Sequence, residues 1–177
     1  MSSSPLPRLQ RGLSRVATLG LLAAVLALGG AGWILFGQAP EAPQVSFTTL
    51  QGEQFKTSDL RGKVVLVNFW ATSCETCMKE MPEMVATFQR YRERGLEFVA
   101  VAMPYDQLDY VRAYSESRAL PFKVALDSRG EAARRFGDVQ FTPTTFLIDR
   151  EGRIVKQFLG EPDFAELRKL IESHLAV

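Results

Sequence analysis

The feature that most constrains the fold is a run of six residues, Val-Val-Leu-Val-Asn-Phe at positions 64–69, which is apolar at every position but one. A strand with one face in water would alternate apolar and polar side chains. An almost continuous apolar run is instead typical of a central strand that is covered on both faces. The run therefore predicts a layered domain in which other elements pack on both sides of a sheet.

Strand-like and helix-like segments alternate from residue 47 to the end of the chain. Apolar or alternating runs predict strands at residues 47–50, 54–56, 64–69, 96–103, 122–126, 144–148 and 153–158. Apolar side chains at spacings of three and four predict helices at residues 77–94, 106–118, 131–136 and 163–175. The last two strands flank Gly152, which favours an antiparallel hairpin. The pattern predicts an α/β fold with a central mixed β-sheet flanked by helices.

A second feature precedes this domain, because residues 16–36 form a run of 21 uncharged residues rich in Leu, Ala and Val. A helix of that length extends about 31 Å, which matches the hydrocarbon thickness of a bilayer. Arg8, Arg11 and Arg15 precede the run and the first charges after it are acidic, so the positive-inside rule leaves the N-terminus in the cytoplasm. We therefore expect a single-pass N-terminal transmembrane helix.

This expectation divides the chain into a cytoplasmic basic N-terminus at residues 1–15, a transmembrane signal-anchor at 16–36, a linker at 37–46 and a domain at 47–177. The linker is assigned because it contains two prolines and shows no periodicity. A cleaved signal peptide is the alternative for the apolar segment, since small residues at 29–31 fit a cleavage site. Both interpretations place the domain outside the cytoplasm.

Charge and cysteine content exclude several classes of function. The chain has 21 Lys and Arg against 20 Asp and Glu, and residues 1–36 contain three of the arginines and no acid. The remainder therefore has 18 basic and 20 acidic residues, which disfavours binding to nucleic acid. Two cysteines are too few for a disulfide-rich scaffold, and they cannot alone complete a four-ligand zinc site.

Cys74 and Cys77 follow the predicted central strand and open the first long helix. Cysteines three apart on the first turn of a helix lie close enough to form a disulfide. The unpaired N–H groups and the dipole at the helix N-terminus stabilise a thiolate on the first cysteine. The second, one turn into the helix, is shielded and able to attack a mixed disulfide. The placement indicates dithiol redox chemistry, and a zinc site and an inert structural disulfide are the alternatives.

Residues 63–82 (KVVLVNFWATSCETCMKEMP) and 141–146 (FTPTTF) resemble the thioredoxin superfamily. They look most like its membrane-anchored TlpA/ResA-type thiol–disulfide oxidoreductases, and the likeness extends from about residue 47 to the C-terminus. The resemblance implies a thioredoxin-like fold in the bacterial cell envelope and an activity in disulfide reduction. Substrates in this family are often the cysteines of apocytochrome c or of copper-site proteins.

The resemblance also implies roles for residues around the cysteines. It implies a cis peptide bond before Pro143, which would bring the backbone of Thr142 beside the cysteines and leave it free to pair with the extended strand of a partner. It implies that Glu80, one helical turn after Cys77, influences cysteine protonation, and a buried carboxylate there could relay a proton. A solvated surface glutamate is the alternative. Trp70 is a further candidate for substrate binding, although packing beneath the site is favoured.

Two positions depart from the commonest family pattern. Ser73 replaces the usual Trp before the first cysteine, which removes an apolar lid beside the thiol. Thr76 replaces the frequent Pro before the second cysteine and restores a backbone N–H. Together with acidic Glu75, which lies between the cysteines, these changes are expected to tune the redox potential.

We therefore expect a bacterial inner-membrane enzyme whose domain, in the periplasm or another extracytoplasmic space, reduces disulfides of partner proteins. Cys74, Cys77 and Glu80 would carry the reaction, with no cofactor beyond the redox-active Cys74–Cys77 disulfide and no metal. The partners would be protein thiol or disulfide substrates and a membrane electron donor, such as a transmembrane thiol reductase, that reduces the pair again.

A Cu(I)-binding chaperone of the thioredoxin fold is the alternative function, with Cys74 and Cys77 joined by His174 or a methionine. Copper-delivery relatives often space the cysteines by three residues and add a distal histidine, and neither feature is evident in this chain. A thiol peroxidase is a weaker third interpretation. Peroxide sites usually place Thr three residues before a lone reactive cysteine, whereas Thr72 lies two residues before Cys74.

Overall fold

The computed structural model describes residues 39–176 and the single residue Gly20. The predicted N-terminus at 1–15 and, apart from Gly20, the predicted transmembrane segment at 16–36 lie outside the described residues. Among the helices of the described part, none combines the length and the apolar character needed to cross a membrane.

The described residues form seven strands in two sheets. The strands are β1 (Ser46–Thr48), β2 (Gln54–Lys56), β3 (Val64–Trp70), β4 (Leu96–Ala102), β5 (Lys123–Leu126), β6 (Thr144–Ile148) and β7 (Ile154–Leu159). β1 and β2 make an antiparallel hairpin. The central sheet has the order β5-β4-β3-β6-β7, in which β3, β4 and β5 are parallel and β6 and β7 antiparallel to their neighbours. The mixed sheet predicted from the sequence is confirmed.

Within the described range three helices connect these strands, α1 (Glu75–Tyr91), α2 (Leu108–Ser117) and α3 (Glu131–Arg135), and a fourth, α4 (Phe164–Leu175), follows β7. α1 begins two residues before its predicted start, because Cys74 and not Cys77 is its N-cap. It is followed by a 3-10 turn at Arg92–Arg94 that ends on Gly95 with φ 103°, a left-handed conformation that glycine adopts without strain.

β3 is buried along its whole length, as the continuous apolar run predicts. Its alternate side chains enter two separate cores. Leu66 and Trp70 belong to the core that contains residues of α1, α2 and α4. Val67 and Phe69 belong to the opposite core, which contains residues of the β1–β2 hairpin and α3. Helices and hairpin therefore cover both faces of β3, which makes it the rigid element that carries the residues following Trp70.

The described part of the predicted linker packs on the domain. Ala42 and Val45 are buried in the core on the hairpin side of the sheet. The Ala42 N–H donates to the Gly152 carbonyl at 2.8 Å, and the Ile154 N–H donates to the Pro40 carbonyl at 2.8 Å. Because apolar side chains and main-chain hydrogen bonds hold this stretch against the β6–β7 connection, packing of the domain begins before residue 47.

Candidate active site

The site lies where β3 ends and α1 begins. Cys74 is the N-cap of α1 and has extended backbone angles, with φ −91° and ψ 107°. It forms a disulfide with Cys77, and their Cα atoms are 5.2 Å apart. The Cys77 N–H, one of the donors that the helix itself leaves unpaired, donates to Cys74 Sγ at 3.1 Å. The same donor at the helix N-terminus would stabilise a thiolate on Cys74 in the reduced protein.

The two sulfurs differ in accessibility. Cys74 is half-buried, whereas Cys77 is fully buried beneath it. Cys74 Sγ lies 3.5 Å from the carbonyl oxygen of Thr142, a half-buried residue, and the Thr142–Pro143 peptide bond is cis, as the resemblance implied. An incoming sulfur therefore meets Cys74 first, with the main chain of Thr142 beside it.

Glu80 is buried, so the alternative of a solvated surface glutamate is wrong. The Asn68 side-chain amide donates both to Glu80 Oε1 at 3.0 Å and to the Thr145 hydroxyl oxygen at 2.9 Å. Glu80 Oε2 is buried without a hydrogen-bond partner in the described part of the chain. This places a carboxyl group with a single donor one helical turn from the buried Cys77.

Burial raises the pKa of Glu80 from 4.5 to about 8. The hydrogen bond from Asn68 acts in the opposite direction, and the negative charge of Glu161 adds to the increase. Glu161 itself is ion-paired with Lys79 of α1 at 2.8 Å. With the disulfide formed, Glu80 therefore holds a proton at neutral pH.

The three further candidates from the sequence differ in burial. Trp70 is fully buried and its ring packs 5.5 Å from that of Tyr114, so its assignment to substrate binding is wrong and the packing interpretation is correct. Glu75 and Thr76 are exposed on the first turn of α1 between the cysteines. Their influence on the redox potential stays a prediction.

The residues that follow β4 also reach the site, and the sequence pattern did not identify them. Asp106, predicted to begin a helix, lies before the helix N-cap Gln107 and binds Thr72 instead. Its carboxylate accepts the Thr72 N–H and the Thr72 hydroxyl, both at 2.6 Å. The hydroxyl oxygen of Tyr105 lies 3.4 Å from Thr142 Oγ1. The predicted parallel pairing could have indicated these residues. Parallel neighbours such as β3 and β4 end at the same edge of a sheet, so the residues that follow β4 lie near those that follow β3.

His174 lies far from the cysteines along the sheet. Arg150, which follows β6, donates through Nε to the His174 carbonyl at 3.4 Å. Because β6 is antiparallel to β3, this contact lies at the end of the sheet opposite Cys74. Within the described range, no three or more His, Cys, Asp or Glu side chains come together as a metal site. The structure therefore does not bring His174 to the cysteines, and of the further ligands named in the copper-chaperone alternative only a methionine is left.

Comparison with known proteins gives concordant matches. The Redoxin family model matches residues 38–171. The thiol-disulfide oxidoreductase ResA of Bacillus thuringiensis subsp. konkukian (strain 97-27) is 35% identical over 133 residues, covering 75% of each chain. ResA of Bacillus subtilis (strain 168) is 36% identical over 123 residues, covering 70% of this chain and 68% of that protein. A thiol:disulfide interchange protein of the thioredoxin family from Chlorobium tepidum TLS superposes with a TM-score of 0.71 at 30% identity, over 78% of this chain and 97% of that one.

These matches extend over the same part of the chain that holds the sheet, the Cys74–Cys77 pair and the cis peptide bond before Pro143. The relatives are similar in sequence across most of the described domain, and the solved structure shares its thioredoxin-like arrangement of strands and helices. The chain belongs to the TlpA/ResA-like thiol–disulfide oxidoreductases of the thioredoxin superfamily.

Proposed function

We propose that this protein reduces disulfides of partner proteins outside the cytoplasm by exchange through Cys74 and Cys77. The observation that carries the proposal is the unequal burial of the two sulfurs, with Cys74 half-buried beside the Thr142 carbonyl and Cys77 fully buried. Dithiol exchange requires this asymmetry, because one thiol must meet the partner and the other must wait to resolve the product.

In the first step the Cys74 thiolate attacks one sulfur of a partner disulfide. A bond forms between Cys74 and that sulfur, the partner disulfide breaks, and the second partner sulfur leaves as a thiolate that takes up a proton. The N–H of Cys77 supports this step, since it is directed at Cys74 Sγ at 3.1 Å and stabilises negative charge there.

In the second step Cys77 loses its proton and attacks Cys74 Sγ. The mixed disulfide breaks, the Cys74–Cys77 disulfide forms, and the partner leaves as a thiolate, so that two electrons have passed to the partner. We assign the proton of Cys77 to the Glu80 carboxylate one helical turn away. The raised pKa of Glu80, about 8 with the disulfide formed, supports this assignment because the product state retains the proton at neutral pH.

We also propose a cellular location and partners for this protein. The basic residues 1–15 and the uncharged run at 16–36 support an anchor in the inner membrane of a bacterium, with the domain in the periplasm or another extracytoplasmic space. That compartment is oxidising, so a reductant in it needs a membrane electron donor such as a transmembrane thiol reductase. The resemblance to ResA-type proteins supports apocytochrome c or copper-site proteins as substrates.

A trapping experiment tests the exchange mechanism. Replacing Cys77→Ser leaves Cys74 able to attack but removes the resolving thiol, so we expect a covalent adduct with partner protein that dithiothreitol releases. Cys74→Ser, which retains the buried Cys77, is the matched control and should trap nothing. An adduct that forms equally with Cys74→Ser would contradict the assignment of Cys74 as the attacking thiol.

The reduction potential tests the direction of the reaction. A reductant is expected to have a potential near that of thioredoxin, about −270 mV, whereas strong oxidants of the same fold lie near about −120 mV. Equilibration of the pure protein with defined glutathione or dithiothreitol buffers measures the value. A potential close to that of the strong oxidants would overturn the reductant assignment while leaving the exchange mechanism in place.

A further inference from the structure

We propose that Tyr105 is a specificity-determining residue of this site, and that its ring contacts an apolar side chain near the reacting cysteine of an extended partner segment. The inference rests on the function proposed above and adds the chemistry of the partner to it. The evidence for the inference is the position of the segment that follows β4. This segment contacts both the loop before Cys74 and the main chain beside Cys74.

The first observation is that Asp106 fixes this segment to the loop that carries Cys74. Its two carboxylate oxygens accept the N–H and the hydroxyl of Thr72, each at 2.6 Å, and Oδ1 also accepts the Gln107 N–H at 3.0 Å. The Asp106 N–H donates to the Met103 carbonyl at 3.0 Å. These hydrogen bonds hold the main chain next to Tyr105 against Thr72, which lies two residues before Cys74.

The second observation is that Tyr105 leaves most of its surface in solvent although it lies at the site. Its hydroxyl oxygen is 3.4 Å from Thr142 Oγ1, and the Thr142 carbonyl is 3.5 Å from Cys74 Sγ. The residue is 60% exposed, and Phe141, adjacent to Thr142 in the chain, is also exposed. An aromatic ring anchored at its polar tip presents apolar surface at little cost in side-chain entropy, which is why tyrosine is enriched in interfaces.

The third observation concerns the shape of the partner. Thr142 precedes the β6 ladder, which begins at Thr144 opposite Phe69, so an extended segment is the kind of chain that fits beside it. Ser73, immediately before Cys74, is exposed and supplies no apolar surface. Apolar contact with residues near the partner cysteine therefore falls to Tyr105 and to exposed Phe141, which precedes Thr142 in the chain.

The test compares two peptide disulfides that differ only in the residues within two positions of the cysteine, leucine in one and serine in the other. Each is used as a disulfide-linked homodimer, and hydroxyethyl disulfide serves as a substrate without side chains. We expect the reduced full-length protein to react about tenfold faster with the leucine peptide, a preference typical of one well-packed aromatic contact. Tyr105→Ala should bring the ratio of the two peptide rates close to one, and the rate with hydroxyethyl disulfide gives the reference rate for each variant.

Two variants serve as controls. Tyr105→Phe keeps the ring and should keep the ratio. Tyr110→Ala removes a tyrosine of nearly equal exposure, 59%, from α2 and should also keep the ratio. The inference is overturned if the wild-type protein does not distinguish the peptides, if Tyr105→Ala still distinguishes them, or if Tyr110→Ala lowers the ratio as much. A wild-type protein that reacts with none of the three disulfides would overturn the proposed function instead.

Discussion

Two carboxyl groups at opposite ends of the sheet are almost equally buried and have opposite pKa shifts. Glu80 is 0% exposed and meets Asn68 near the end of β3. Asp149 is 5% exposed and follows β6, which runs antiparallel to β3, so it lies near the start of β3. Burial raises the pKa of Glu80 to about 8, whereas the pKa of Asp149 is lowered.

The number and charge of the donors contribute to this difference. Burial by itself would raise the pKa of Asp149 too, but the backbone and guanidinium of Arg153 and the backbone of Glu151 outweigh it. Those donors lie at 2.8, 2.8 and 3.0 Å. Glu80 has one neutral amide donor. The molecule thus keeps an ionised carboxylate where it stabilises a turn and a neutral acid one helical turn from Cys77.

The largest effect is expected for Glu80→Gln in the disulfide form. The pKa of Glu80 in the folded protein, about 8, lies above its ordinary value of 4.5, so the folded state holds the proton more tightly than the unfolded state does. The free energy of unfolding therefore falls as the pH rises from about 4.5 through 8. Glutamine does not titrate, so the variant should be more stable than wild type by on the order of 4 kcal/mol at pH 8 and by under about 1 kcal/mol at pH 5. Urea unfolding at the two pH values measures this, and a difference independent of pH would refute the neutral-acid interpretation.

Asp149→Asn is expected to have a smaller effect of opposite sign. It removes the charge that binds the Arg153 guanidinium and should destabilise the protein by about 2 kcal/mol at neutral pH. Because the folded pKa of Asp149 is lowered, this contribution is present above its ordinary value of 3.8 and is lost as pH falls through the folded pKa. Glu151→Gln, which breaks only the exposed Arg153–Glu151 pair, is the matched control and should change stability by under about 0.5 kcal/mol. Equal effects of the two variants would contradict the role of burial.

The smallest effect is expected for Asn68→Leu, which removes the donor to Glu80 Oε1 without opening a cavity. The hydrogen bond from Asn68 lowers the pKa of Glu80, so its loss should raise that pKa further, by about one unit. A carboxyl ¹³C NMR titration of the disulfide form detects the change. Thr145→Val removes the other acceptor of the Asn68 amide and should shift the titration less, and an unchanged pKa in Asn68→Leu would mean that the amide does not control Glu80.

Much of the fold was predictable because its determinants are local. The continuous apolar run of residues 64–69 predicted a strand covered on both faces, and the spacing of apolar side chains predicted the helices that follow. The Cys74–Cys77 pair and the Thr-Pro pair at 142–143 are short strings, so they identified the centre of the site without knowledge of the tertiary structure. The start of α2 was less predictable, since Asp106 resembles a helix cap in sequence and instead binds Thr72, 34 residues away.

The amino-acid sequence alone determined the order of strands and helices, the family and the position of the reactive cysteines, because each depends on neighbouring residues or on a compact motif. Only the tertiary structure decided which acids are neutral and which surfaces flank Cys74. Those properties depend on burial and on hydrogen-bond partners supplied from distant parts of the chain, such as Thr145, which accepts the Asn68 amide from 77 residues away. Glu80 and Asp149 are both acids in the sequence, and the neighbours that folding brings to each give them opposite protonation behaviour.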